Sequence, residues 1–207
     1  MTTAAVPAPG FADPPRDAQR AFRAILDALA HPARPYPVYG PPEPPGALGR
    51  GLAAVALTLL DEDCQVWLGG ALGSDAETAA WLAFHTGARR AGDPAAAGFV
   101  IAGPDALPLA SLALGTDEAP HLAATVVLDV RASASRATGP ARFTARGPGI
   151  DGTVTLTAPW AGDGFIDAWQ CNTELFPRGV DLLLVDAGSV AALPRTTRLS
   201  PAGPEEE

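Results

Sequence analysis

Val180 to Val185 reads Val-Asp-Leu-Leu-Leu-Val, a nearly unbroken apolar run of strand length, and no other stretch constrains the fold as strongly. Gly179 precedes it and Ala187-Gly188 follow it. The run is too short for a helix and carries glycine at both ends, so it reads as a buried strand. Val190 to Leu193 is a second, shorter run, and the tight Ala187-Gly188-Ser189 link between the two predicts a hairpin. Pro194 stops the second strand. Arg195, Thr196, Thr197 and Arg198 then place cations and hydroxyls at a strand end.

Other elements can be read around this hairpin. Residues 1–12 read as a mobile lead-in, residues 13–199 as one α/β domain and residues 200–207 as an acidic tail. Asp13-Pro14-Pro15 starts a helix, in which Phe22, Ile25, Leu26 and Leu29 make an apolar stripe. His31-Pro32 ends it. Pro32 to Gly46 is a proline-dense connector, Arg50 to Leu60 a buried helix, and Gln65 to Leu68 a short strand with Trp67 in the core. Ser74-Asp-Ala-Glu77 reads as a capping box opening a helix with Ala79, Trp81 and Leu82, which ends near Phe84-His85-Thr86-Gly87. Gly98–Ala102, Leu122–Val130, Arg136–Arg146 and Thr153–Thr157 read as strands, and Leu107–Leu114 and Phe165–Leu175 as helical. The pattern predicts a mixed sheet of six or seven strands with helices on both faces. Phe22, Leu26, Trp67, Val127 and Leu183 are expected in its core.

Composition excludes several kinds of chemistry. The formal net charge is −9, which disfavours nucleic acid and anionic lipid as partners. All 14 basic residues are arginine. Without lysine there is no Schiff base, hence no ordinary pyridoxal phosphate catalysis, and no P-loop. The two cysteines, Cys64 and Cys171, are far apart and read as free buried thiols of a reducing cytoplasm. Met1 to Pro15 has neither a basic start nor an apolar centre and does not read as a signal peptide. Leu52 to Leu60 is about half the length needed to span a membrane.

Candidate sites are few. Gly147-Pro-Gly149-Ile-Asp-Gly152 has the spacing of a dinucleotide loop, but Thr153-Val-Thr-Leu-Thr follows it, so a structural turn is expected. His31, His85 and His121 show no metal spacing. No metal or cofactor is therefore expected. His85 sits at a helix end, where an imidazolium meets a favourable dipole; a place in a pocket is the other reading. The Arg195-Thr196-Thr197-Arg198 cluster is the best anion site, since guanidinium forks and hydroxyls suit phosphate oxygens. Alternatively, Arg195 anchors the C-terminal segment on Asp181 or Asp186, or faces a partner subunit.

Five separated segments carry a resemblance in one order. They are Asp17-Ala-Gln-x-x-Phe22-Arg23-x-x-Leu26 closing on His31-Pro32; Thr58-Leu-x-Asp61-x-Asp63-x-x-Val66-Trp67-Leu68; Phe84-His85-Thr86-Gly87; Leu112-x-x-Gly115-Thr116; and Phe176-Pro177-x-Gly179-Val180-Asp181 with Leu193-Pro194-Arg195-Thr196-Thr197. Together they resemble the PhnH family, the H subunit of bacterial carbon–phosphorus lyase. The resemblance implies a fold like that of pyridoxal-phosphate-dependent transferases, without the cofactor. It implies a homodimer that assembles with G, I and J subunits in the cytoplasm. It also implies that, with G and I, the chain serves formation of ribose 1-methylphosphonate 5-triphosphate from ATP and methylphosphonate, in an assembly role without a catalytic centre of its own. A free-standing enzyme or binding protein for a phosphorylated small molecule is the alternative.

Overall fold

The computed structural model describes residues 7–131, 141–162 and 164–202. Helix α1 (Pro14–Ala30) is followed by the edge strand β1 (Tyr36–Pro37) and helix α2 (Gly49–Leu59). Strand β2 (Gln65–Leu68) leads through the short α3 (Gly70–Ser74) into α4 (Ala76–Thr86) and the strand β3 (Arg89–Arg90). Next come β4 (Phe99–Ala102), β5 (Thr125–Asp129), β6 (Ala141–Arg146), β7 (Val154–Ala158) and helix α5 (Phe165–Glu174). The chain closes with β8 (Asp181–Val185), β9 (Ser189–Leu193) and β10 (Arg198–Pro201).

Seven strands form one mixed sheet in the order β1-β9-β8-β5-β4-β2-β3. From β8 to β3 every pairing is parallel. Strand β9 runs against both of its neighbours. The expected hairpin is β8–β9, with Leu183 opposite Ala192. Strands buried on both faces explain the continuous apolar run, because each face of a parallel sheet needs cover. The pleat divides it: Leu183 and Val185 join Ile101 and Val127 on one side, and Leu182 and Leu184 join Val100, Val126 and Leu128 on the other.

Helices α1, α2 and α4 cover the first side. The second is covered by α5 and a separate three-stranded sheet in the order β10-β6-β7. The expectation of helices on both faces is thus half replaced by a small antiparallel sheet. Its inward residues Phe143, Ala145, Leu156, Ala158 and Leu199 are buried.

Several local expectations are corrected. In α1 the buried stripe is Ala21, Ala24, Ile25 and Ala28, whereas Phe22 and Leu26 are 45% and 48% exposed. Small residues let α1 lie close to α2 and β9, and helix separation follows side-chain size at the contact. Trp67 is half-buried. The cap of α4 is Asp75 rather than Ser74: its carboxylate accepts from the Glu77 and Thr78 amides and, at 2.5 Å, from the Thr78 hydroxyl. The element expected over Leu107–Leu114 is only a 3-10 turn, Leu109–Ser111, preceded by Pro108. Strand β5 starts at Thr125 because residues before it form another such turn, Pro120–Leu122. Residues 136–140 of the expected outer strand lie outside the described residues; the rest of it is β6.

Residues beyond both ends of the expected domain also make contacts. Within the lead-in, the Ala8 carbonyl accepts from Trp81 Nε1 at 2.8 Å, and Phe11 packs on the core. At the other end, Ser200 and Pro201 belong to β10, and the Ala202 amide donates to the Arg142 carbonyl at 2.9 Å.

Candidate functional site

Beyond β9, Pro194 begins a turn closed by the Thr197 amide donating to the Pro194 carbonyl at 2.8 Å. This turn throws Arg195 back across the start of β8. Its guanidinium meets Asp181 in a fork, with Nη2 2.6 Å from Oδ2 and Nε 3.2 Å from Oδ1. The Arg195 amide adds a bond of 2.7 Å to Oδ1. Nη1 donates to the carbonyls of Pro120 and Pro177 at 3.0 and 3.2 Å. One side chain thus ties two further segments, at Pro120 and Pro177, to the hairpin. Of the readings open for Arg195, the anchor on Asp181 is the one the geometry realises. Asp186 is engaged elsewhere, accepting from the Ala187 amide.

The rest of the cluster divides by burial. Thr197 is fully buried, and its carbonyl accepts from Trp169 Nε1 at 2.8 Å. Its hydroxyl has no hydrogen-bond partner among the described residues. Thr196 is half-buried and Arg198 exposed. His85 lies away from them, half-buried near the end of α4. It packs at 4.5 Å from the Trp81 ring, and its Nε2 donates to the Ala8 carbonyl at 2.9 Å. His85 therefore pins the N-terminal segment and is not part of the arginine cluster.

Strand β6 adds what the sequence reading missed. Its side chains alternate Arg142, Thr144 and Arg146 outward with Phe143 and Ala145 inward. Strand β10 places Arg198 directly opposite Arg146 and Ser200 opposite Thr144. A cavity of about 540 Å³ opens here, bounded by Thr144, Arg146, Arg195, Thr196, Arg198 and Ser200, with Phe176 on its wall. The Gly147-to-Gly152 stretch is the turn between β6 and β7, as expected. A Cβ at Gly149, where φ is +81°, would collide with the Ala30 carbonyl, so its glycines serve chain reversal and close approach.

A second arginine device was also missed. Nε and Nη2 of Arg131 lie 2.8 and 2.7 Å from the two carboxylate oxygens of Asp129. Nη2 also donates to the Ala47 carbonyl at 2.8 Å. The Asp129 hydrogen bond holds the Arg131 guanidinium even more firmly protonated than usual. The pair clasps the end of β5 to the segment before α2.

Among the described residues, no group of three or more histidine, cysteine or acidic side chains could hold a metal. Cys64 is half-buried, and its thiol donates to Asp61 at 3.1 Å. Burial pushes that thiol up and the hydrogen bond from it lowers Asp61. Cys171, expected to be buried, is exposed on α5. Among the described residues no helix is long and apolar enough to cross a membrane.

The profile of the family described as bacterial phosphonate metabolism protein (PhnH) matches residues 9–200. The chain belongs to the PhnH family. It is 39% identical over 191 residues to a Rhizobium meliloti protein named alpha-D-ribose 1-methylphosphonate 5-triphosphate synthase subunit PhnH, covering 91% of this chain and 93% of the relative. It is 32% identical over 188 residues to HtxG of Stutzerimonas stutzeri, named as a candidate C-P lyase subunit, covering 89% and 87%. The PhnH match ends at Ser200, inside β10, and so takes in the Arg195 anchor and most of the small sheet.

Proposed function

We propose that this chain serves as the H-type subunit of a carbon–phosphorus lyase system. In this role it joins G- and I-type subunits in forming ribose 1-methylphosphonate 5-triphosphate from ATP and methylphosphonate. The observation that carries this reading is family membership across residues 9–200, from the segment pinned by His85 to the last strand. The chain's part is assembly. Arg195 supports this, because four of the five N–H donors of its side chain are spent on the fold.

Large apolar side chains left at the surface suit subunit contacts. Phe22 and Leu26 stand one turn apart on α1, both nearly half exposed. Exposed apolar patches of this kind mark interaction sites. We assign this face to contact within a homodimer or with the G, I and J subunits, in the cytoplasm. The predominantly parallel sheet with one reversed strand beside its edge supports kinship with the pyridoxal-phosphate-dependent transferase fold. The lysine-free sequence supports a version of that fold that works without the cofactor. Purification of the tagged chain from phosphate-starved host cells is the test: G, I and J subunits are expected with it, and recovery of the chain alone would refute the assembly role.

A further inference from the structure

We propose that the cavity between β6, β10 and the segment after α5 binds a small molecule through a phosphoryl or phosphonyl dianion held between Arg146 and Arg198. The inference does not rest on the assembly reading; it rests on the register of two strands.

The alternation of β6 turns Arg146 outward while Phe143 and Ala145 face the core. On β10, buried Leu199 leaves Arg198 and Ser200 outward. The antiparallel register then sets Arg198 directly opposite Arg146. Like charges in facing positions destabilise a sheet. Acids are not scarce in a chain with 23 of them and a net charge of −9, yet among the described residues none lines this cavity. Among the described residues, neither Arg146 nor Arg198 makes an ion pair. Arg195, at the back, is already neutralised by Asp181 at 2.6 Å. Among the described residues these two facing cations are therefore left without a counter-charge.

A single carboxylate would balance only one of them. A phosphoryl group carries about −1.5 to −2 at neutral pH and balances both. Guanidinium forks take two of its oxygens bidentately. The hydroxyls of Thr144, Thr196 and Ser200, on the same cavity wall, can donate to the third. The cavity, at about 540 Å³, has room for more than the anion, and sites for small molecules run from roughly 300 to 1,000 Å³. Phe176, 63% exposed on its wall, offers an apolar surface to the organic remainder.

The purified full chain would be titrated calorimetrically with inorganic phosphate, methylphosphonate and ATP, with acetate as the carboxylate control. Saturable binding of at least one phosphorus oxyanion is expected, with acetate silent. Arg146→Gln or Arg198→Gln should each weaken it about tenfold or more, the loss of one charged fork, while Arg16→Gln leaves it unchanged. Both cavity variants should melt no lower than the parent, since each removes one of two facing like charges. Affinity should fall as pH drops below about 6, where a phosphomonoester loses its second charge. A preference for methylphosphonate over phosphate would assign the phosphonyl form. Tighter ATP binding, with its advantage over phosphate lost in Phe176→Ala, would assign the phosphate ester. Silence from all three probes, equal binding of acetate, or undiminished binding by a variant carrying both Arg146→Gln and Arg198→Gln would overturn the proposal.

Discussion

Arg195→Ala should destabilise the folded chain strongly, and Arg198→Ala should not. In the parent, the Arg195 side chain makes two bonds to Asp181 and two to the carbonyls of Pro120 and Pro177. Truncation leaves a carboxylate 26% exposed with only an amide donor, and two carbonyls without their cation. Removing one partner of a buried pair costs about 3–5 kcal/mol. The remaining exposure places this pair at the lower end, about 3 kcal/mol. For a chain of this size each kcal/mol moves Tm by about 2–4 °C, so a drop of about 6–12 °C is expected. Arg195→Lys should recover little of it, because an ammonium cannot reproduce the planar fork. Arg198 is exposed, so its truncation should stay within about 0.5 kcal/mol. Urea unfolding followed by tryptophan fluorescence measures both. If Arg195→Ala unfolds with the parent midpoint, the anchor contributes nothing and the reasoning from its bonds is wrong.

Leu183→Ala, at a position 1% exposed in the central sheet, should cost about 2–5 kcal/mol by urea titration. Thr197→Val should leave the midpoint unchanged or raise it, because it removes a buried hydroxyl that lacks a partner among the described residues. The Asp75 carboxyl is lowered from its ordinary 3.8, chiefly by the Thr78 hydroxyl. A depressed folded value means that its contribution is present above about pH 3.8 and lost as pH falls through the lower folded value. The Tm difference between the parent and Asp75→Ala should therefore be full at pH 7 and shrink below that range. Phe22→Ser with Leu26→Ser should lower recovery of the homodimer or of partner subunits in light scattering and pull-down, while circular dichroism of the chain stays native.

The central hairpin was legible because strands covered on both faces must be apolar throughout, which leaves a run that no amphipathic element shares. The Arg195–Asp181 anchor was legible as one of several options, since Leu182 faces Leu193 and their outer neighbours share one end of the hairpin. The buried face of α1 was legible at Ile25 and Leu29 and not beyond them. Periodicity allows an alanine stripe as well as a Phe22–Leu26 stripe, and only the close approach of α2 and β9 selects the smaller one. Strand β10 escaped because Arg-Leu-Ser-Pro has one apolar residue; it is a strand by virtue of its pairing with β6, more than fifty positions earlier. Arg146 was overlooked for the same reason: its meaning comes from facing Arg198, and register between distant strands leaves no local mark.

The place of this chain in phosphonate metabolism is tested most directly by phosphorus NMR on the assembled synthase. The G and I subunits, purified from a strain lacking this chain, would be incubated with ATP and methylphosphonate, with and without the chain added back. The expected result is a ribose 1-methylphosphonate 5-triphosphate signal that appears only when the chain is present and joins the complex. The same product formed at the same rate without it would contradict the account.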